Sequence, residues 1–321
     1  MKKRQKKIVL LVFDRCQILD FAGAAQVFTS ANRFVGDGVA SFSGYDVQLI
    51  ATDSSVVTET GIQVNCARLP KRLEKGSTLL IVGGPGITEL CTSEEVGQWF
   101  SKALANTDRW GAICSGSLAL AAWGLLDGKQ ATTHWEHLDE LACFPTISVE
   151  RDSLYVIDGQ IWTSAGISAG IDMALAMVSE DAGPIVSAKT AQQMVLATKR
   201  SGSQTQYSDI LRLNLRDPQG DFSALHEWLQ ANISRPIALE DMASFCATSV
   251  RTLQRRYKAA LGTSPSKTLK KLRLEKARNL LQTTDTAVTL IARESGFNSL
   301  HQFSKEFSKV FGVSPRQFRS R

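Results

Sequence analysis

The stretch from Ala287 to Pro315, AVTLIARESGFNSLHQFSKEFSKVFGVSP, is compatible with very few folds. Val288, Ile291 and Ala292 recur at helical spacing, and Gly296 suits the left-handed backbone that closes a helix. Phe297 follows as an apolar plug. Asn298 or Ser299 can cap a second helix, which puts Phe303, Phe307 and Val310 on one face and turns His301, Gln302 and Lys305 elsewhere. This is a helix-turn-helix pattern, and it occurs twice. From Ile237, Leu239, Met242 and Ala243 mark a short helix and FCATS turns. Val250, Leu253 and Tyr257 then form the buried stripe of a helix exposing Arg251, Gln254, Arg255 and Lys258. The second helices end alike, in LGTSP and FGVSP, and a helical run from Pro265 to Leu281 joins the copies.

Charge divides the chain near the same point. From residue 222 onward there are 17 Lys and Arg against 7 Asp and Glu, a balance of +10; the whole chain carries +6, so residues 1–221 carry −4. A basic module beside an acidic one fits a polyanion binder joined to something that must not bind nucleic acid. The six cysteines, Cys16, Cys66, Cys91, Cys114, Cys143 and Cys246, show no CxxC spacing, which argues against a zinc site and a disulfide framework and for a reducing cytoplasm. The opening MKKRQKKIVLLVF has an apolar run that stops at Asp14, too short for a signal peptide. No run approaches the roughly 20 apolar residues of a membrane span.

The first half alternates strands with helices. Ile8–Phe13 and Thr78–Val82 are continuous apolar runs of the kind found in parallel strands covered on both faces, and Tyr45–Thr52 is a further strand. Ile18–Asn32 and Glu94–Asn106 predict helices, and strands are expected at Gln130–Thr133, Ser153–Ile157 and Ile161–Ser164, with helices at Ile171–Val178 and Val186–Leu196. The fold class is an α/β sandwich with a parallel sheet, followed by an all-α domain, and ligand chemistry belongs at the carboxyl ends of the strands. WGAICSGSLALAAWGLL places Cys114 and Ser115 where a strand turns sharply into a helix, whose free N–H groups are expected to lower the thiol pKa. Gly83 and Gly84, in GGPG, end a neighbouring strand, either as N–H donors to an oxygen in the same pocket or as a tight turn. His134 ends a third strand in ATTHW.

These pieces in this order resemble the PfpI-like superfamily of class I glutamine-amidotransferase-like, flavodoxin-like folds. The resemblance implies a pocket in which an acidic residue of the first strand-helix loop bonds the elbow sulfur, with a His nearby. Asp20, in ILDFAG, falls at the acidic position, where Glu is usual, and Ala24 stands where Pro is usual. Asp20 is equally read as a cap for its own helix. The doubled module, Phe222 to Arg319, resembles the AraC/XylS family, and ILDFAG, TTHW and TSAGISAGIDMAL resemble its GlxA-like branch. The implied organisation is a ligand-sensing and dimerisation domain at 1–199, a linker at 200–221 carrying a possible strand at 210–215, and a DNA-binding domain at 222–321.

The expected function is a transcriptional regulator without a cofactor or resident metal. Its partners are double-stranded DNA, a second copy of the chain and a small metabolite, amino-acid-derived or a quaternary amine by resemblance. Arg251, Gln254 and Arg255 are placed to reach base edges, Arg256 and Lys258 to reach phosphates, and His301, Gln302 and Lys305 to read from the second helix. The alternatives are a Cys114-dependent hydrolase, glyoxalase or hydratase, and a redox sensor built on Cys114.

Overall fold

The apolar runs of the first half become the centre of a sheet. In the computed structural model, which describes residues 4–35, 40–196, 202, 206 and 221–319, the chain divides into the units Met1–Gln206 and Tyr207–Arg321. The expected linker, with the strand at 210–215, lies outside the described residues except for Gly202, Gln206 and Asp221.

The strands of the first unit are β1 (Lys6–Leu11), β2 (Tyr45–Ala51), β3 (Ser55–Val57), β4 (Gln63–Asn65), β5 (Ala67–Arg68), β6 (Ser77–Ile81), β7 (Thr107–Ile113), β8 (Gln130–Ala131), β9 (Ser148–Val149), β10 (Tyr155–Asp158) and β11 (Ile161–Ser164). Among the described residues the main sheet runs β10-β11-β7-β6-β1-β2-β5, parallel except where β10 meets β11. Alternation along β1 sends Ile8, Leu10 and Val12 into one buried cluster and Val9 and Leu11 into another on the opposite face. Helices α1 (Ile18–Ala31), α6 (Ser168–Ala182) and α7 (Pro184–Gln193) cover the first face. Helices α2 (Ile87–Cys91), α3 (Glu94–Ala103), α4 (Gly116–Ala122) and α5 (Leu138–Leu141) cover the second.

The hairpin of β3 and β4 was not among the expected strands. Its turn supplies Glu59, whose carboxylate accepts the Ile18 N–H at 2.9 Å and so caps α1. At the amino ends of the strands, Arg109 bonds Asp181 at 2.7 Å and Glu180 at 3.2 Å, and the Tyr45 hydroxyl donates to Asp181. Lys6 also pairs with Asp181. This buried ion network ties β1, β2 and β7 to the end of α6.

The second unit is helical: α8 (Ser223–Ala231), α9 (Leu239–Phe245), α10 (Val250–Leu261), α11 (Pro265–Thr283), α12 (Val288–Glu294), α13 (Leu300–Phe311) and α14 (Pro315–Arg319). Ser249, Ser264 and Ser299 cap α10, α11 and α13, each accepting an N–H three residues on. Gly262 and Gly312 close α10 and α13 in the left-handed conformation, at φ 68° and 74°. The turns between α9 and α10 and between α12 and α13 differ. Gly296 turns at φ 81°, and a Cβ there would lie 2.2 Å from the Ile233 carbonyl oxygen; in the first copy Ala247 makes the corresponding left-handed turn at φ 49°. Phe303 and Phe307 are buried as expected, but Val310 is 56% exposed. Phe311 takes the next core position because Phe318 of α14 packs on both Phe307 and Phe311, at 5.4 and 5.8 Å.

Candidate ligand site and nucleic-acid interface

Strand order reverses at β1, which has β2 on one side and β6 on the other. The crevice outside such a switch point, at the carboxyl ends of the strands, is the ordinary ligand site of an open parallel sheet. Asp20, Gly83, Gly84, Cys114 and Ser115 all lie there. Cys114, directly after β7, has φ 58°, a strained backbone for a residue with a side chain. Close approach explains the glycines around it. A Cβ on Gly83 would sit 2.6 Å from Ser115 N and 2.7 Å from Cys114 Cβ, and one on Gly84 would sit 2.5 Å from Gln17 N.

The two N–H groups of this turn are already committed within the protein. Gly83 donates to Asp20 Oδ2 at 2.9 Å, and Gly84 to Ser115 Oγ at 3.0 Å. They therefore organise the elbow instead of facing a ligand oxygen, and Asp20 bonds across to β6 instead of capping its own helix, which Glu59 does. Among the described residues Asp20 Oδ1 is buried without a hydrogen-bond partner of ordinary geometry, although the Cys114 thiol faces the carboxyl. Burial raises the Asp20 pKa to about 7, against the N–H of Gly83 and the thiol of Cys114, which both favour the charged form.

The thiol departs from the expectation of a lowered pKa. Burial, then the Asp20 charge, push Cys114 up to about 12, and the backbone N–H groups of Ser115 and Ile167 do not offset them. A helix start favours a thiolate only when the sulfur is not sealed beside an acid. Thr133 donates its hydroxyl to the Cys114 carbonyl at 2.9 Å, placing the ATTHW segment against the elbow. The His134 side chain has as its neighbours Glu136 at 3.5 Å, the rings of Trp135 and His137, and Gly166. Desolvation lowers its pKa, and no interaction between the imidazole and the thiol appears among the described residues. Sequence reasoning missed Glu59, Thr133 and Ser164. Ser164 accepts the Cys114 N–H through its carbonyl at 3.0 Å and carries a buried hydroxyl without a partner among the described residues.

On the helical unit, Arg251, Gln254, Arg255 and Lys258 are exposed on α10 around the buried Leu253 and Tyr257, and His301, Gln302 and Lys305 are exposed on α13. Arg256 differs from its neighbours. It pairs with Asp221 at 3.2 Å and lies over the Phe222 ring at 5.9 Å, so the expected phosphate ligand is held against the residues preceding α8. Arg273 of α11 bonds the Ile233 carbonyl at 3.2 Å and also that of Arg235. The segment between α8 and α9 is thereby fixed to the helix that spaces the two copies.

An α/β unit with a cysteine elbow followed by two helix-turn-helix units defines a class: transcriptional regulators that carry a PfpI-type domain ahead of an AraC-type DNA-binding module. Residues 6–180 match the DJ-1/PfpI family, and residues 242–321 match a helix-turn-helix domain. The HTH-type transcriptional regulator CdhR of Pseudomonas aeruginosa is 31% identical over 305 residues, covering 94% of this chain and 88% of that protein. The HTH-type transcriptional regulator GlxA of Rhizobium meliloti is 28% identical, covering 98% and 96%. A ThiJ/PfpI family protein from Pseudomonas syringae superposes with a TM-score of 0.53 at 26% identity, over 61% of this chain and 77% of its own. The chain belongs to the DJ-1/PfpI family, among its helix-turn-helix transcriptional regulators.

Proposed function

We propose that the α/β unit senses a small metabolite at the Asp20–Cys114 elbow and that the occupied elbow alters how a homodimer holds DNA in the cytoplasm. The observation that carries this reading is Asp20: a fully buried carboxyl at the switch point of the sheet, one oxygen of which, among the described residues, meets no donor stronger than the Cys114 thiol. An amine or hydroxyl on a ligand supplies a stronger donor than the thiol, and amino-acid-derived compounds and other amines form the first panel. Because the thiol is held protonated, Cys114 serves as a pocket wall and weak donor instead of a nucleophile. Domain boundaries at 199 and 221 and the roles given to Arg251, Gln254, Arg255 and Lys258 belong to the same proposal. For the dimer, Leu19, Val57 and Ile62 offer an exposed apolar patch on α1 and the hairpin whose Glu59 caps it.

The test is fluorescence anisotropy of the full chain on DNA upstream of its own and neighbouring genes, with the metabolite panel added. One compound should change the affinity of the wild type, and Asp20→Asn should lose that response while binding DNA as the ligand-free wild type does. A response preserved in Asp20→Asn would move the sensor elsewhere. Absence of specific DNA binding would overturn the whole reading, since a ligand acts only through unequal affinity for two states.

A further inference from the structure

The segment HWEHLDE, just beyond the elbow, holds a cluster that no part of the sensing reading uses. A 3₁₀ turn, Trp135–His137, is closed by the His137 N–H donating to the His134 carbonyl at 2.8 Å. In such a turn residues three apart eclipse. The two imidazoles are thus brought side by side, with ring centres 6.2 Å apart. Glu136 points to the same spot, its Oε2 3.5 Å from His134 Nδ1, and one donor atom from each of the three residues lies within 4.8 Å of the others. Gly166 makes room for the arrangement, because a Cβ there would meet the His134 ring at 2.1 Å.

We propose that His134, Glu136 and His137 form a binding site for a divalent transition metal of the zinc class. Two nitrogens and one carboxylate oxygen are the donors such ions prefer, whereas magnesium and calcium take oxygen alone. The spacing of one donor pair fits as it stands. Donors about 2.0–2.1 Å from a tetrahedral ion stand roughly 3.3 Å apart, close to the separation of His134 Nδ1 and Glu136 Oε2. His137 is prepared by a neighbour: its Nδ1 lies 2.9 Å from Glu140 Oε2, and with Nδ1 donating to that carboxylate the lone pair is left on Nε2. Three protein donors leave a fourth position for water or for a donor atom of another molecule.

The experiment uses the metal-free full chain titrated with Co²⁺, read by visible d–d absorption and by tryptophan fluorescence, then displaced with Zn²⁺. Trp135 is a built-in reporter, its ring 5.5 Å from that of His134. One Co²⁺ should bind per chain, and Zn²⁺ should displace it. His137→Ala and Glu136→Gln should each weaken binding at least about tenfold, and Glu140→Gln, which acts through His137, by roughly tenfold. Glu136 and Glu140 are exposed, so those variants test the site without disturbing the core. Cys114→Ser should bind as the wild type does. Sulfur-to-metal charge-transfer bands, binding indifferent to all three substitutions, or no binding would each overturn the site.

Discussion

Asp20 concentrates the electrostatics of the α/β unit in one carboxyl. Its folded pKa, about 7, lies above the ordinary 3.8. The folded chain therefore keeps a proton that the unfolded chain loses between these values, and the contribution of Asp20 to stability is full below pH 4 and is lost as pH rises through 7. The shift corresponds to on the order of 4 kcal/mol at pH 8. Asp20→Asn keeps an acceptor for Gly83 and carries no charge. It should flatten the pH dependence and melt several degrees above the wild type at pH 8, with little difference at pH 4. Differential scanning calorimetry at the two pH values checks this, and a gap between variant and wild type that is the same at both would contradict it. The position of this acid could be read from ILDFAG, and the elbow from the turn after AIC. Its partners could not. Glu59 and Ser164 are remote in sequence and join the site only when β3, β4 and β11 are in place, and no local pattern announces that a thiol will be sealed from water.

The recognition helices were the most legible elements, because caps, stripes and closing glycines are all local signals. Ser249, Ser299, Gly262 and Gly312 stand where such signals place them. The misplacement of Val310 came from outside that range, since Phe318 arrives from a helix beyond FGVSP to favour Phe311. On α10, two kinds of contact should separate in binding assays. Arg255→Ala should cost about 1–3 kcal/mol and relax base preference, whereas Lys258→Ala should weaken all sequences alike and reduce the salt slope by about 1. Arg256 is a third case. Asp221→Asn frees its guanidinium, so the variant should bind DNA more tightly and with a steeper salt dependence than the wild type. If Asp221→Asn and the double variant with Arg256→Ala bind equally well, Arg256 gains no phosphate on release.

For the molecule as a whole, the two ends of the sheet have opposite characters. The amino end is locked by Arg109, Asp181, Tyr45 and Lys6, and removing one member of such a buried network typically costs about 3–5 kcal/mol. The carboxyl end carries the strained cysteine and, among the described residues, the weakly matched Asp20 oxygen and Ser164 hydroxyl, so the sensing proposed above would have its room there. The helical unit has its own inequality, in the turn residue of each helix-turn-helix. Gly296 takes its left-handed conformation freely, while Ala247 holds the equivalent one at roughly 1–2 kcal/mol. The two helix-turn-helix units are thus expected to differ in local melting. Native-state hydrogen exchange should find the amides of α9 and its turn opening before those of α12, and Ala247→Gly should narrow the gap. If the amides open in that order, the second helix-turn-helix is the more rigid of the two before any DNA is bound.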